Sequence, residues 1–543
     1  MKQLPVLLVL LVVGIAEIRA QYNFNNEIIS NPFALSYGVD SRLQLFVPDT
    51  GTQILFNPAR AVMYKREFIV GKYDKYPTYY YPFTDPVIFY QSDANIRVTI
   101  ERLSPPQTLS YYSQPMPTVD IALLKRDEDS YWLLQFTNIT NSNTSESNNS
   151  TSRIYSTLNH TISDYKSTTD NQSSKSRLKL SKIFALDEMS YSYGIIGEYL
   201  PNSRHNIWNN SGEDINSNLP YSWYNRKSVS SSDNTETEPK YSIGGEFSLA
   251  DSLLDIVISA KLTKGEIDLT SLGNYSNTTI DSFSTYYYSN NSELSNYSTK
   301  SDPTTVSVNA FAQKKSIVYE IPVQMILSID GTYTLDEIDL VSKYTRMYKY
   351  ISGTNTPTGD TIITEASGSV NKTDYSFSAL YGILSKISFG NLSLQTGPVL
   401  DVNYIKGVNA QIGNSYYTDR LISKIDWKQY GATIIIPIMF TYEPTEWLVM
   451  FSGMNIRYSI NKYESSTSTT PLSKYYTSIN GIITSTPQVT NISGSNSSTN
   501  YSSNSNIFFN MMVQHYSGFK VQLSFKEDLS KFQEYGISMM YFF

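Results

Sequence analysis

The chain contains no cysteine. A disulfide framework, a zinc ribbon and a thiolate nucleophile are therefore excluded. It has only three histidines, His160, His205 and His515, and the first two stand in Asn/Ser-rich polar stretches. No convergent partners surround them, so the sequence offers no histidine-centred catalysis, no metal site and no cofactor site, and an enzyme is not expected. Basic residues (42) are fewer than acidic ones (49), giving a formal net charge of −7. Such a balance provides no basic footprint for nucleic acid. Beyond the N-terminus no stretch reaches the roughly 18 uncharged apolar residues of a membrane-spanning helix.

Tyrosine is abundant, with 45 residues. Its ring is apolar and its tip polar, which suits boundaries between oily and wet phases. The chain begins MKQLPVLLVLLVVGIAEIRAQ. A short basic start, an apolar run over residues 4–16 and small Ala20 before Gln21 predict a secretory signal peptide over 1–20.

Further along, two textures alternate. One is apolar at every second position. The other is rich in Asn, Ser, Thr and Tyr, over about 140–177, 200–240, 265–303, 350–370, 406–426 and 460–505. The alternating segments come in pairs around short connections at 127–129, 250–251, 390–391, 443–446 and 527–530, with others expected near 187–188 and 314–315. These read as β-hairpins. Short turns thus alternate with long polar loops, as in an outer-membrane barrel and unlike a soluble sandwich.

The strand faces agree. Over 430–442 the even positions are Tyr, Ala, Ile, Ile, Ile, Phe and Tyr, an aliphatic band bracketed by Tyr430 and Tyr442. At ~3.3 Å per residue and ~45° tilt it spans roughly 28 Å, close to the apolar band of a membrane barrel. In 253–262, Ile256, Ile258 and Leu262 share one face while Asp255, Ser259 and Lys261 share the other. Oily outside and polar inside predicts an all-β, transmembrane antiparallel β-barrel over 118–543. The hairpins give about 14 strands, within a range of 12–16. Residues 335–350 do not fit that count. Residues 21–117 are not plain hairpins and are expected to form an N-terminal hatch or plug with its lead-in.

Two motifs carry resemblances. Tyr535, Ile537, Met539, Tyr541 and Phe543 occupy alternate positions of the last strand. This resembles the C-terminal assembly signature of bacterial outer-membrane barrels, and implies the barrel-assembly machinery and outer-membrane lipid as partners. Asn57-Pro58-Ala59, within TQILFNPARAVMY, resembles the box of the long-chain fatty-acid and hydrocarbon transporter family, and of related barrels that act as secretion shuttles. In that family the box lies in a hatch that plugs a 14-stranded barrel. Here the preceding residues lack the family's Gly-Gly-Ala-like stretch, and Arg60 stands where a small residue is common. Apart from the resemblance, Pro58 is expected to end a strand and Asn57 to cap a turn.

The expected function is an outer-membrane channel or transporter for small molecules, hydrophobic ligands among them, gated by its N-terminal segment. The alternative is a binding or scaffold barrel whose outer loops hold partners without transport.

Overall fold

In the computed structural model the described residues are 50–64, 67–75, 89–93, 96–101, 107–111 and 116–542, except 157–158, 187–188, 219–221, 282–286, 353–357, 413–421, 446, 471–473, 481, 486–492, 515–518 and 529–530. The expected signal peptide and Phe543 lie outside them.

Sixteen staves close a barrel: β1 (Phe68–Lys75), β2 (Met116–Asp127), β3 (Ser130–Ser156), β4 (Asn159–Leu186), β5 (Met189–Leu200), β6 (Lys240–Ala250), β7 (Leu254–Gly265), β8 (Thr304–Val318), β9 (Ile321–Ser352), β10 (Thr358–Phe389), β11 (Leu392–Thr396 continued by Val399–Ile412), β12 (Ile422–Thr445), β13 (Leu448–Thr470), β14 (Gly494–Gln514), β15 (Phe519–Asp528) and β16 (Lys531–Phe542). All neighbours pair antiparallel. The ring is shut by β1, which pairs with β2 on one side and β16 on the other, with Tyr73 opposite both Val119 and Ile537. A closed sheet has no edge to leave unpaired in lipid.

This stave number is the top of the expected range. β1 arises inside the 21–117 segment, so the barrel begins before residue 118. The residues 335–350 that did not fit are the upper part of the 32-residue β9. The turn expected at Lys314-Lys315 falls instead at Tyr319-Glu320, with φ of 49° and 64°. A left-handed pair with neither Gly nor Asn carries no sequence signal for a turn. The turn at 527–530 lies at the opposite end from the other short ones, because β14 ends and β15 begins at the short-turn end, with Gln514 opposite Lys520.

The described parts of the polar stretches are mostly strands as well. After Pro201 the chain of β5 continues as Asn202–Asn218, and Ser222–Thr237 leads down through Pro239 into β6. Beyond Glu266, β7 continues as Ile267–Asp281, and Tyr287–Ser301 returns through Pro303 into β8. These four pieces take the places of β5–β8 between β4 and β9 higher up the wall. Hydrogen bonds cross the joints, Ser174 N to Pro201 O at 3.0 Å and Gly265 N to Pro303 O at 2.9 Å. The wall therefore has a second storey. β3 alone has 27 residues, roughly 60 Å of height at ~3.3 Å rise and ~45° tilt, against an apolar band of ~25 Å. Both faces of this storey are polar. With no apolar face to bury, the period-two apolar signal is absent.

In the lower storey the faces separate as the alternation predicts. On β12, Thr433, Ile435, Met439 and Thr441 are buried, while Tyr430, Ile434 and Tyr442 are exposed. On β7, Asp255, Val257 and Ser259 are buried and Ile258 and Leu262 exposed. In a closed ring the buried face is the lumen. Exposed aromatics frame the aliphatic exterior. Tyr375, Tyr404 and Tyr430 form a row with centroid spacings of 5.5 and 5.0 Å, and Tyr199 stacks on Tyr241. Near the short turns Trp132, Phe389, Tyr442 and Trp447 are exposed, with Lys182 Nζ 4.3 Å from the Trp132 ring. We expect Ile434→Arg to destabilise the lipid-reconstituted barrel by ~2–4 kcal/mol. Thr433→Arg, one residue away on the lumen side, should cost much less. Urea titration of both variants in the same lipid checks the difference.

Candidate functional site in the barrel lumen

The lumen is not uniformly polar. Residues 50–64 lie against its inner wall as a helix, Thr50–Phe56, a single 3-10 turn, Pro58–Arg60, and a helical turn, Ala61–Tyr64. The sequence suggested a strand ending at Pro58; a helix precedes it instead, and the break between the helices is set by Asn57 and Pro58. Asn57 is extended (φ −123°, ψ 93°) and its side chain accepts from Ala59 N, while Pro58 occupies the first helical position, where no donor is needed.

Asn57 also ties the segment to the wall. Its amide donates to Asp255 Oδ1 at 2.9 Å and to Leu249 O at 3.1 Å. Ala59 N donates to Ser248 Oγ at 3.3 Å, and Ala59 O accepts from Ser190 Oγ at 2.6 Å. Arg60 grips Asp255 with two donors, Nε to Oδ1 at 2.7 Å and Nη2 to Oδ2 at 2.5 Å, and its Nη1 donates to Gln53 Oε1 at 2.6 Å. Both ions are almost fully buried. A bidentate guanidinium–carboxylate pair fixes orientation as well as position.

Apolar contacts fill the rest of this level. Phe56 meets Phe311 edge-on at 4.9 Å and belongs to a buried layer with Ile326, Leu384, Met439 and Phe508. Ile54 and Leu55 pack against Leu124, Leu133 and Ile183 on the other side. These wall residues all stand at the middle of their strands or nearer the short turns. The segment and the wall together make an apolar floor across that end, where the sequence indicated a polar lumen. Within it, the fully buried amide of Gln313, register partner of Asp255, and the hydroxyl of Ser328 have no hydrogen-bond partner among the described residues.

Above the floor the lumen turns polar. Lys179 pairs with Glu246, and Glu198 accepts from Lys261 at 2.8 Å and meets Arg177 at 3.3 Å. Higher still, β10 and β11 part. Their ladder ends at Tyr375–Lys406, and residues 362–367 of β10 pair instead with Lys474–Ile479. Asp374 accepts from Val408 N at 2.9 Å where they separate. Val408 and Ile422, on the face that points outward lower down, are buried here. Ile422 packs with Ala410 against the inward Ile338, Leu340, Ala366 and Val370 of β9 and β10. The β11–β12 hairpin thus overlaps the inside of the wall.

The sequence-predicted residues fare differently. Asn57, Pro58 and Ala59 are brought together with Ser190, Ser248 and Asp255. Arg60, which the family resemblance marks as a departure, is the most strongly bonded residue of the group. Its partner was legible as an inward acidic residue on β7, but nothing in the sequence paired the two. Tyr535, Ile537, Met539 and Tyr541 lie on β16 between β1 and β15.

No family model matches the chain, and no curated protein matches it. Among solved structures it is similar to the β domain of the Bordetella autotransporter BrkA, at 9% identity and TM-score 0.20 over 59% of this chain and 98% of that one. It is also similar to a mutant of the ferric enterobactin receptor PfeA of Pseudomonas aeruginosa, at 8% identity and TM-score 0.21 over 88% and 80%. A third is the siderophore receptor PirA of that species, at 9% identity and TM-score 0.19 over 88% and 80%. Likenesses this distant carry no argument about the lumen, which rests on the chain's own geometry.

Asp255→Ala would leave Arg60 buried without its counter-charge, a loss of roughly 3–5 kcal/mol. We expect residues 50–64 of that variant to become protease-sensitive while the barrel still runs as a compact, heat-modifiable band. Limited proteolysis before and after boiling in SDS checks both halves.

Proposed function

We propose that the chain is a bacterial outer-membrane β-barrel that admits small molecules, and that residues 50–64 are the movable closure of its short-turn end. The observation that carries this reading is the Asn57–Arg60 turn clamped to Ser248 and Asp255 inside the lumen. The exterior supports the location. A band of aliphatic side chains between tyrosine and tryptophan belts fits a bilayer, and the short turns then lie on the periplasmic side. The terminal strand, with Tyr535, Ile537, Met539, Tyr541 and Phe543, fits recognition by the barrel-assembly machinery. The segment is held by one ion pair, a few neutral hydrogen bonds and the packing of Ile54, Leu55 and Phe56 on the wall, beside the Gln313 amide and Ser328 hydroxyl, which have no partner among the described residues. An apolar floor beneath a polar chamber suits a solute with some hydrophobic surface.

A binding or scaffold barrel without transport is the second reading, and the tall polar storey favours it. Conductance separates the two. Because the chain has no cysteine, Ala59→Cys and Ser248→Cys can be joined by a short, reducible thiol reagent. In planar bilayers Asp255→Ala should conduct several-fold more than the parent. The tether should lower conductance below the parent, and reduction should restore it. Conductance unchanged by both would remove the closure and leave the scaffold reading.

A further inference from the structure

The β11–β14 sheet has two unlike faces above the aromatic belt. Its outer face carries Lys406, Lys428, Lys462 and Glu464, and Lys462 holds the Glu464 carboxyl below its ordinary range through a hydrogen bond. Its inner face carries no charge over three successive rungs, 403–431–461–500, 405–429–463–498 and 407–427–465–496. That face points away from β9 and β10, because the opposite face of the hairpin is the one packed on them. It therefore looks into the outer half of the lumen.

Its centre is aromatic and flat. Gly407 is the register partner of Trp427, and a Cβ at Gly407 would fall inside the indole. Glycine here lets the indole lie down on the strand instead of standing off it. Tyr463 continues the surface, nearly parallel to the indole (21°) with centroids 6.3 Å apart. Both rings are half-buried. Around them stand amides. Gln429 lies on the rung of Tyr463, and Asn403 and Asn461 lie one rung below. Their side-chain oxygens meet over Gly431, where a Cβ would strike both. Asn403 Oδ1 is buried with no protein partner among the described residues. It is an acceptor left for a ligand or water.

We propose that this face is a binding site for a neutral saccharide. A pyranose presents one face of C–H groups, which packs on a flat aromatic ring, and a rim of hydroxyls, each both donor and acceptor. Side-chain amides offer a donor and an acceptor side by side and match such a rim. The lack of charge decides between ring-shaped ligands. A nucleotide also stacks on aromatics, but its phosphates call for basic groups, and along these three rungs those lie on the outer face. A free aliphatic chain would leave the amides unpaired. The site faces the outer mouth, so it captures its ligand before the floor is reached, independently of how the closure behaves.

The test uses the full chain in lipid nanodiscs. Probes are maltohexaose, cellohexaose and chitohexaose as neutral ligands, with sialyllactose and AMP as charged ones, read by titration calorimetry. At least one neutral oligosaccharide should bind, and the charged probes should not. Trp427→Ala should weaken binding at least tenfold. Gly407→Val keeps every ligand-contacting side chain but lifts the indole from the strand, and should weaken it similarly. Ile434→Val, on the outer face, reports ordinary folding and should bind as the parent does. Binding of none of the three neutral probes, or binding unaffected by both Trp427→Ala and Gly407→Val, would overturn the proposal. Preferential binding of AMP would replace it with a nucleotide site.

Discussion

Everything in this molecule depends on the antiparallel ladder between β1 and β16. An open sheet in hydrocarbon would leave two rows of backbone donors and acceptors without partners, each costing several kcal/mol. Once Phe68 is set opposite Phe542 and Tyr73 opposite Ile537, the sixteen staves become a ring and each has an inside and an outside. The alternation of every strand then acquires a physical meaning, lipid on one face and lumen on the other. The lumen in turn supplies the buried setting in which one carboxylate, Asp255, can hold Arg60 and Asn57 at once.

Height is a second constraint. A bilayer needs only about ten residues per stave, yet β3, β9 and β10 run to 27, 32 and 32. Backbone pairing continues upward because neighbouring polar strands keep register across proline joints. Stacked along the axis are an apolar floor, a polar middle, and an upper hairpin folded inside the wall. Each level follows from the side chains that the two-residue period delivers inward at that height.

How much of this was legible in the sequence follows the same physics. The barrel, its inward and outward faces and its aromatic framing were readable wherever one face meets lipid, as in 430–442, because burial on one side imposes the period. The upper storey was not. Asn, Ser and Thr on both faces leave no period, and strands in 140–177 or 265–303 look like loops until their partners are known. The Tyr319-Glu320 turn was missed because its residues lack turn chemistry. Asn57, Pro58 and Ala59 stood out through their resemblance to a known box, and the local capping by Asn57 was readable. Asp255 as their partner was not, since it lies 195 residues from Arg60. The floor was hidden for another reason. Ile435 and Met439 have the inward parity of 430–442, but only the closed ring shows them gathered with Phe56, Phe311 and Phe508 into one apolar layer.

The central claim is that one face of each lower stave meets lipid and the other meets the lumen. Single cysteines can be placed from 430 to 442 in this cysteine-free chain and spin-labelled in native-like vesicles. Collision with oxygen, which concentrates in lipid, and with a water-soluble nickel chelate then reads each position. The account predicts strong oxygen collision at the even positions between Tyr430 and Tyr442, and weak oxygen collision at the odd ones. Nickel collision should be highest at the tyrosine ends. Even positions that collide with nickel as freely as with oxygen along their whole length would contradict it.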